Sequence, residues 1–126
     1  MKKELFKYEG RFQLWSYTVS HGQLLLRSTP SAARATQIDV LFKGVSAISL
    51  STNLDGLEVL HDEGATLPTT AEPQGGTKLF IVRGLEEEGY VVAGAVFHIE
   101  GLGSYWDSSP LIPGLPTFPK FPPLKE

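Results

Sequence analysis

The chain has 126 residues, a formal charge of −3 and no cysteine, and 41% of its residues are hydrophobic. This length is that of one domain, and the balance of apolar and charged residues is typical of a globular protein rather than a disordered or fibrous one. The acidic balance lacks the positive footprint of most nucleic-acid-binding proteins. The lack of cysteine excludes disulfides, thiolate zinc sites and cysteine nucleophiles.

The chain begins with charged residues and then a hairpin pattern. The basic cluster of Lys2, Lys3, Lys7 and Arg11 is interrupted by Glu4 and Glu9 and is expected to form a solvated end. Residues 11–28 predict two strands, and His21-Gly22 predicts a two-residue type I′ turn between them. That turn pairs Ser16 with Arg27. A β-bulge near Leu14 would return Phe12 and Leu14 to the core face, and a strand buried on both sides at its start is the alternative.

The remaining elements are also predicted to be strands. Residues 29–36 read as a small-residue connection with at most one helical turn. The further apolar runs that predict strands are residues 37–51, 57–61, 77–83 and 89–100. Gly44 is expected to bend the first run so that it serves two parts of the sheet, and residues 53–56 predict a turn. Residues 62–76 lack periodicity and predict a surface loop.

These patterns predict a mainly β domain over residues 1–109, folded as an antiparallel sandwich or partly open barrel of about six or seven strands. From Pro110 to Pro122 a proline recurs at every third position, which is the period of polyproline II. Residues 110–126 therefore predict an extended tail. The residues preceding the later prolines are apolar, so the tail is predicted to pack on the domain or on a second copy.

Two segments carry a resemblance. Residues 20–28, SHGQLLLRS, followed by residues 38–45, IDVLFKGV, resemble a group of small, uncharacterised bacterial proteins. The resemblance covers about the first half of the chain and implies a bacterial, cytoplasmic setting, with no activity, cofactor or functional residue attached. The N-terminus lacks the apolar run of a signal peptide, and residues 90–97 form an apolar stretch too short for a membrane helix. A cytoplasmic protein without membrane association is the expectation.

Candidate catalytic residues are few. His98 and Glu100 fall on one strand face, two residues apart, and form either an acid/base pair or a cross-strand polar pair. His61 is the third candidate. The chain has no His-Glu-x-x-His spacing and no glycine-rich phosphate loop before a helix, so we expect neither a metal nor a cofactor. Arg27 and Asp39 either lie on the solvent face or pair across strands through a bidentate fork.

Two classes of function remain. The absence of a catalytic constellation favours a non-catalytic protein-binding module, such as an immunity-like or antitoxin-like inhibitor or an accessory subunit. Its partner would be another protein or a second copy in a homodimer. The alternative is a small enzyme or small-ligand binder with a site at a barrel end or between sheets, built from His98, Glu100, His61 or Arg27. The candidate partner surface comprises Glu86, Glu87, Glu88, Trp106, Phe118 and Phe121.

Overall fold

The computed structural model of the protein describes residues 2–63, 77–102, 109 and 111. The described strands are β1 (Lys2–Thr18), β2 (Gln23–Ser28), β3 (Gln37–Lys43), β4 (Ala47–Ser49), β5 (Asn53–Asp62), β6 (Lys78–Arg83), β7 (Glu88–Ala93) and β8 (Ala95–Gly101). All pair antiparallel in one sheet of order β4-β7-β6-β5-β1-β2-β3-β8, which is not closed by a ladder between β4 and β8. The predicted mainly β architecture is confirmed. Most of the predicted loop 62–76 and of the tail 110–126 lies outside the described residues.

Within those ranges, no helix has the length and apolar character needed to cross a membrane.

The N-terminal residues form a strand that the sequence did not predict, whereas the charged side chains Lys2, Lys3, Lys7 and Arg11 are exposed, as expected of a solvated cluster. β1 pairs with β5 from Lys2 to Gln13 and with β2 from Gln13 to Thr18. Phe6 and Tyr8 pack against the core, whereas Lys7 and Glu9, which alternate with them, are exposed. The alternation that marks a half-buried strand is therefore present, but flanking charges obscure it.

The first hairpin differs from its predicted register. Its connection is a 3-10 turn at Val19–His21, closed by Gly22 in the left-handed conformation (φ 58°). Ser16 consequently lies opposite Leu25, not Arg27. The predicted bulge is confirmed, because the β1–β2 register shifts between Leu14 and Ser16. The longer turn leaves Val19 79% exposed.

Two bent segments give the sheet its curvature. Gly44 (φ 69°) separates β3, which pairs with β2 and β8, from β4, which pairs with β7, so the predicted bend is confirmed. Gly94 separates β7 from β8 in the same way, and its N–H donates to the Lys43 carbonyl (2.9 Å). The Ser46 N–H donates to the Val92 carbonyl (2.8 Å) just beyond. The two bends therefore lie side by side.

The predicted turn at residues 53–56 was also wrong, because Asn53–Asp62 form one continuous strand. Gly56 does adopt a left-handed φ of 79°, but it does so opposite an irregularity in β1 between Tyr8 and Arg11. The curved sheet encloses one core of buried apolar side chains: Phe12, Leu24, Leu26, Ile38, Val40, Phe42, Leu54, Leu57, Val59, Phe80, Val82, Val91 and Ala93. A second buried cluster on the opposite face comprises Leu60, Leu79, Ile81 and Val92.

Candidate functional site

His98 projects from β8 towards the N-terminal half of β1. Its ring stacks on Phe6, with ring centroids 4.0 Å apart and an interplanar angle of 26°. The Tyr8 hydroxyl lies 2.6 Å from Nδ1 of His98, so with the imidazole neutral and its proton on Nε2 the hydroxyl donates to Nδ1. Burial lowers the pKa of His98 and also raises the pKa of Tyr8, with a smaller contribution from the charge of Glu100. Both effects favour the neutral hydrogen-bonded pair.

His98 and Glu100 share one strand face as predicted, but each binds elsewhere. Their β3 neighbours are Val40 and Ile38, which lie in the core row. The Glu100 carboxylate accepts a hydrogen bond from the Thr36 hydroxyl, while His98 is bonded to Tyr8. The pair is thus arranged as two cross-strand contacts rather than as an acid and base that face one another.

His61 lies on β5 beside Phe80, with ring centroids 5.8 Å apart. Its Nδ1 is 3.7 Å from the carboxylate of the exposed Glu63. Over residues 2–63 and 77–102, no three His, Asp, Glu or Cys side chains form a group able to hold a metal ion. The candidate side chains therefore make separate contacts.

Arg27 and Asp39 form a buried ion pair, so the solvent-face alternative was wrong and the cross-strand alternative is confirmed. The two residues are direct partners in the β2–β3 ladder. Arg27 Nε donates to Asp39 Oδ1 (2.8 Å) and Nη2 donates to Oδ2 (3.0 Å), which is the bidentate geometry. Both residues are only 1% exposed. Trp15 lies under the guanidinium, 5.3 Å from ring centroid to Cζ.

The predicted acidic surface lies next to a cleft that the sequence did not indicate. This β6–β7 cleft has a volume of about 680 Å³ and is lined by β1, β5 and the β6–β7 turn. It forms where the β1–β5 ladder is irregular and both Gly10 (φ 108°) and Gly56 adopt positive φ. Its charged lining residues are Lys7, Glu9, Arg11, Asp55, Glu58 and Arg83.

The β6–β7 turn is tied to the sheet by its backbone. The Gly84 N–H donates to the Glu87 carbonyl and the Leu85 N–H donates to the Asp55 carbonyl, both at 2.8 Å. Despite this fixed backbone, the Leu85 side chain is 83% exposed at the rim of the cleft. The turn therefore presents an apolar side chain on a fixed backbone beside the charged lining of the cleft.

Acidic groups outnumber basic ones around this turn. Arg83 donates through Nε to Glu88 (3.2 Å) and lies 3.9 Å from Glu58, so its charge is shared by two carboxylates. Among the described residues, Glu86 and Glu87 make no ion pair and are exposed. On the neighbouring strand, the hydrogen bond that Glu4 shares with Glu58 raises the pKa of Glu4. The other predicted surface residues, Trp106, Phe118 and Phe121, lie outside the described residues.

Comparison with known proteins adds no relative: the chain matches no protein-family model, and neither a curated protein nor a solved structure is significantly similar to it.

Proposed function

We propose that the protein is a non-catalytic binding module that holds a basic protein partner at the β6–β7 cleft. The observation that carries this proposal is Leu85, an 83% exposed apolar side chain in a turn fixed by two 2.8 Å backbone hydrogen bonds. A side chain on a fixed backbone serves as an anchor at low cost, because little conformational entropy is lost on binding.

The charges around Leu85 support a partner of the opposite sign. The cleft lining carries three acidic and three basic side chains, whose charges cancel. The adjacent Glu86, Glu87 and Glu88 therefore give this surface a net charge of −3. A partner that offers an apolar pocket surrounded by Lys or Arg fits this surface, since complementary potentials speed association and fix orientation. A bacterial, cytoplasmic inhibitor of the immunity or antitoxin kind, or an accessory subunit, belongs to this class.

The geometry gives less support to a small enzyme or ligand binder. His98 is engaged by Tyr8, while Glu100 accepts a hydrogen bond from Thr36. Arg27 is engaged by Asp39 on the face of the sheet opposite to His98. The side chains that such a site needs therefore do not converge.

The test is affinity capture from a lysate of the organism that encodes the chain, followed by measurement of binding to the captured protein. Leu85→Lys is expected to weaken binding by about tenfold or more, because a hot-spot side chain contributes about 2 kcal/mol. Val19→Lys is the matched control, since Val19 is also apolar and 79% exposed but lies in the β1–β2 turn. A partner that binds the Leu85→Lys protein as tightly as the wild type refutes the proposed surface.

A further inference from the structure

The two ends of the sheet are unequal. β4 is three residues long, whereas β8 runs for seven residues, Ala95–Gly101. Within the described part of the chain, β8 has β3 on one side and no strand on the other. Natural sheets protect their edges by keeping them short or by placing Lys or Pro there. β4 is short, but β8 is long and contains neither Lys nor Pro.

The side chains of β8 alternate between two environments. On one face, Phe97 and Ile99 are 44% and 40% exposed. On the other face, His98 is held against Phe6 and Tyr8 by the stacking and the 2.6 Å hydrogen bond. The contacts of His98 therefore fix the position of β8, although its outer edge has no neighbour in the described structure. An ordered edge loses little entropy when a further strand is added.

We propose that two copies of the chain associate by antiparallel pairing of β8 with β8, about a two-fold axis at His98. In this register, Phe97 of each copy lies opposite the partner's Ile99, so both exposed apolar side chains of each copy gain an apolar neighbour. Aromatic and β-branched side chains directly opposite one another are stabilising cross-strand pairs. The sheets of the two copies then form one continuous sheet.

The sequence of β8 favours a second copy with this axis over other registers. An axis at Phe97 would place Phe97 opposite itself and leave Ile99 opposite the small Ala95. With the axis at His98, the single charged residue of β8, Glu100, lies opposite Val96. The two Glu100 residues are then separated by four positions, about 13 Å along the strands, which exceeds the screening length of about 10 Å at 0.1 M salt.

The cleft lining includes neither Phe97 nor Ile99. The two surfaces are nevertheless neighbours, because Tyr8 both lines the β6–β7 cleft and hydrogen-bonds His98. The association of two copies is tested by Ile99→Lys and the proposed partner by Leu85→Lys, so either proposal can fail while the other holds.

Light scattering coupled to gel filtration over a range of concentrations tests the association. The wild-type chain is expected to approach twice the monomer mass at high concentration. Ile99→Lys is expected to raise the dimer dissociation constant by about tenfold or more, because it replaces both copies of the Phe97–Ile99 pair with a charge beside an aromatic ring. Val19→Lys leaves the dissociation constant unchanged. Equal melting temperatures establish that each variant folds.

The register is tested by cysteine cross-linking, for which the chain is suited because it contains no cysteine. His98→Cys is expected to form an intermolecular disulfide, since opposite residues of paired strands have Cβ atoms about 4.5–5.5 Å apart. Glu100→Cys is the control and is not expected to cross-link. If His98→Cys does not fold, the Val96→Cys/Glu100→Cys double variant replaces it, because these positions face one another across the axis.

A chain that remains monomeric at every concentration overturns the proposal. A dimer that is as stable with Ile99→Lys as without it also overturns it, because association would then use another surface. Cross-linking of Glu100→Cys in place of His98→Cys refutes the register.

Discussion

Removing the carboxylate of the buried ion pair is the most direct test of how the sheet is stabilised. Arg27 and Asp39 are 1% exposed and are joined by two hydrogen bonds of 2.8 and 3.0 Å. Asp39→Asn keeps the size of the side chain but removes the carboxylate charge that faces the guanidinium. A buried ion that loses its partner destabilises a protein by about 3–5 kcal/mol, because its desolvation is no longer offset.

This loss is large compared with the 5–15 kcal/mol that stabilises a typical domain. For a chain of this length, each kcal/mol corresponds to roughly 3–5 °C of melting temperature, so Asp39→Asn is expected to lower it by roughly 10–20 °C. The measurement is urea unfolding followed by circular dichroism, together with a thermal scan. The double variant Arg27→Met/Asp39→Leu removes both charges and is expected to lose less stability than Asp39→Asn, because no buried charge remains.

The control is the exposed pair of Arg83 with Glu88, whose side chains are 35% and 53% exposed. Arg83→Met is expected to change the free energy of unfolding by less than about 1 kcal/mol, since water already screens this pair. If Asp39→Asn costs no more than Arg83→Met, the reasoning about burial is refuted. If the double variant is less stable than the Asp39→Asn protein, the desolvation of a buried charge does not explain the loss.

Three further predictions concern backbone packing, pH and the tail. Gly89→Ala should lower the melting temperature far more than Gly94→Ala, because a Cβ at Gly89 would lie 2.0 Å from the Ser49 carbonyl oxygen, whereas at Gly94 the nearest atom is at 3.5 Å; equal shifts would contradict this packing. Burial lowers the pKa of His98 below 6.5, so the unfolded chain binds more protons, and the free energy of unfolding should fall as the pH decreases from about 6.5 to the lowered folded pKa. The His98→Phe protein should lack this component in urea titrations at several pH values, and an unchanged slope would show that other groups cause it. Deleting residues 111–126 should lower the melting temperature or cause aggregation, whereas an unchanged melting temperature in a monomer would identify the tail as a free ligand for another protein.

The strands were predictable because the alternation of apolar and polar side chains within a strand can be read from a few consecutive residues. The alternation of apolar residues correctly predicted β2 and β3. The tolerance of glycine for the left-handed conformation correctly predicted the bend at Gly44. The same tolerance led to the wrong prediction of a turn at Gly56. Its positive φ occurs instead opposite a register shift in the β1–β5 ladder. A glycine thus indicates a conformation, but its neighbours in the sheet decide which motif uses that conformation.

The site was less predictable because its contacts join distant parts of the chain. The shared face of His98 and Glu100 follows from the two-residue period of a strand. Tyr8 is 90 residues away, and its contact with His98 depends on the curvature of the whole sheet. Glu86–Glu88 stood out by composition, whereas the cleft beside them depends on a ladder irregularity between β1 and β5. Sequence patterns identify chemical groups, and the non-local register determines which of them meet.

The bend at Gly94 connects the enclosed core to the exposed edge. Before the bend, β7 pairs with both β6 and β4, and its residues Val91, Val92 and Ala93 are fully buried. After it, β8 pairs with β3 and with no other described strand, and most of its residues are exposed. The bend brings the ring of His98 to Phe6 and Tyr8 at one end of the core. The bend that covers one end of the core therefore also produces the long edge of β8, which has no neighbour among the described strands and at which a second copy is proposed to bind.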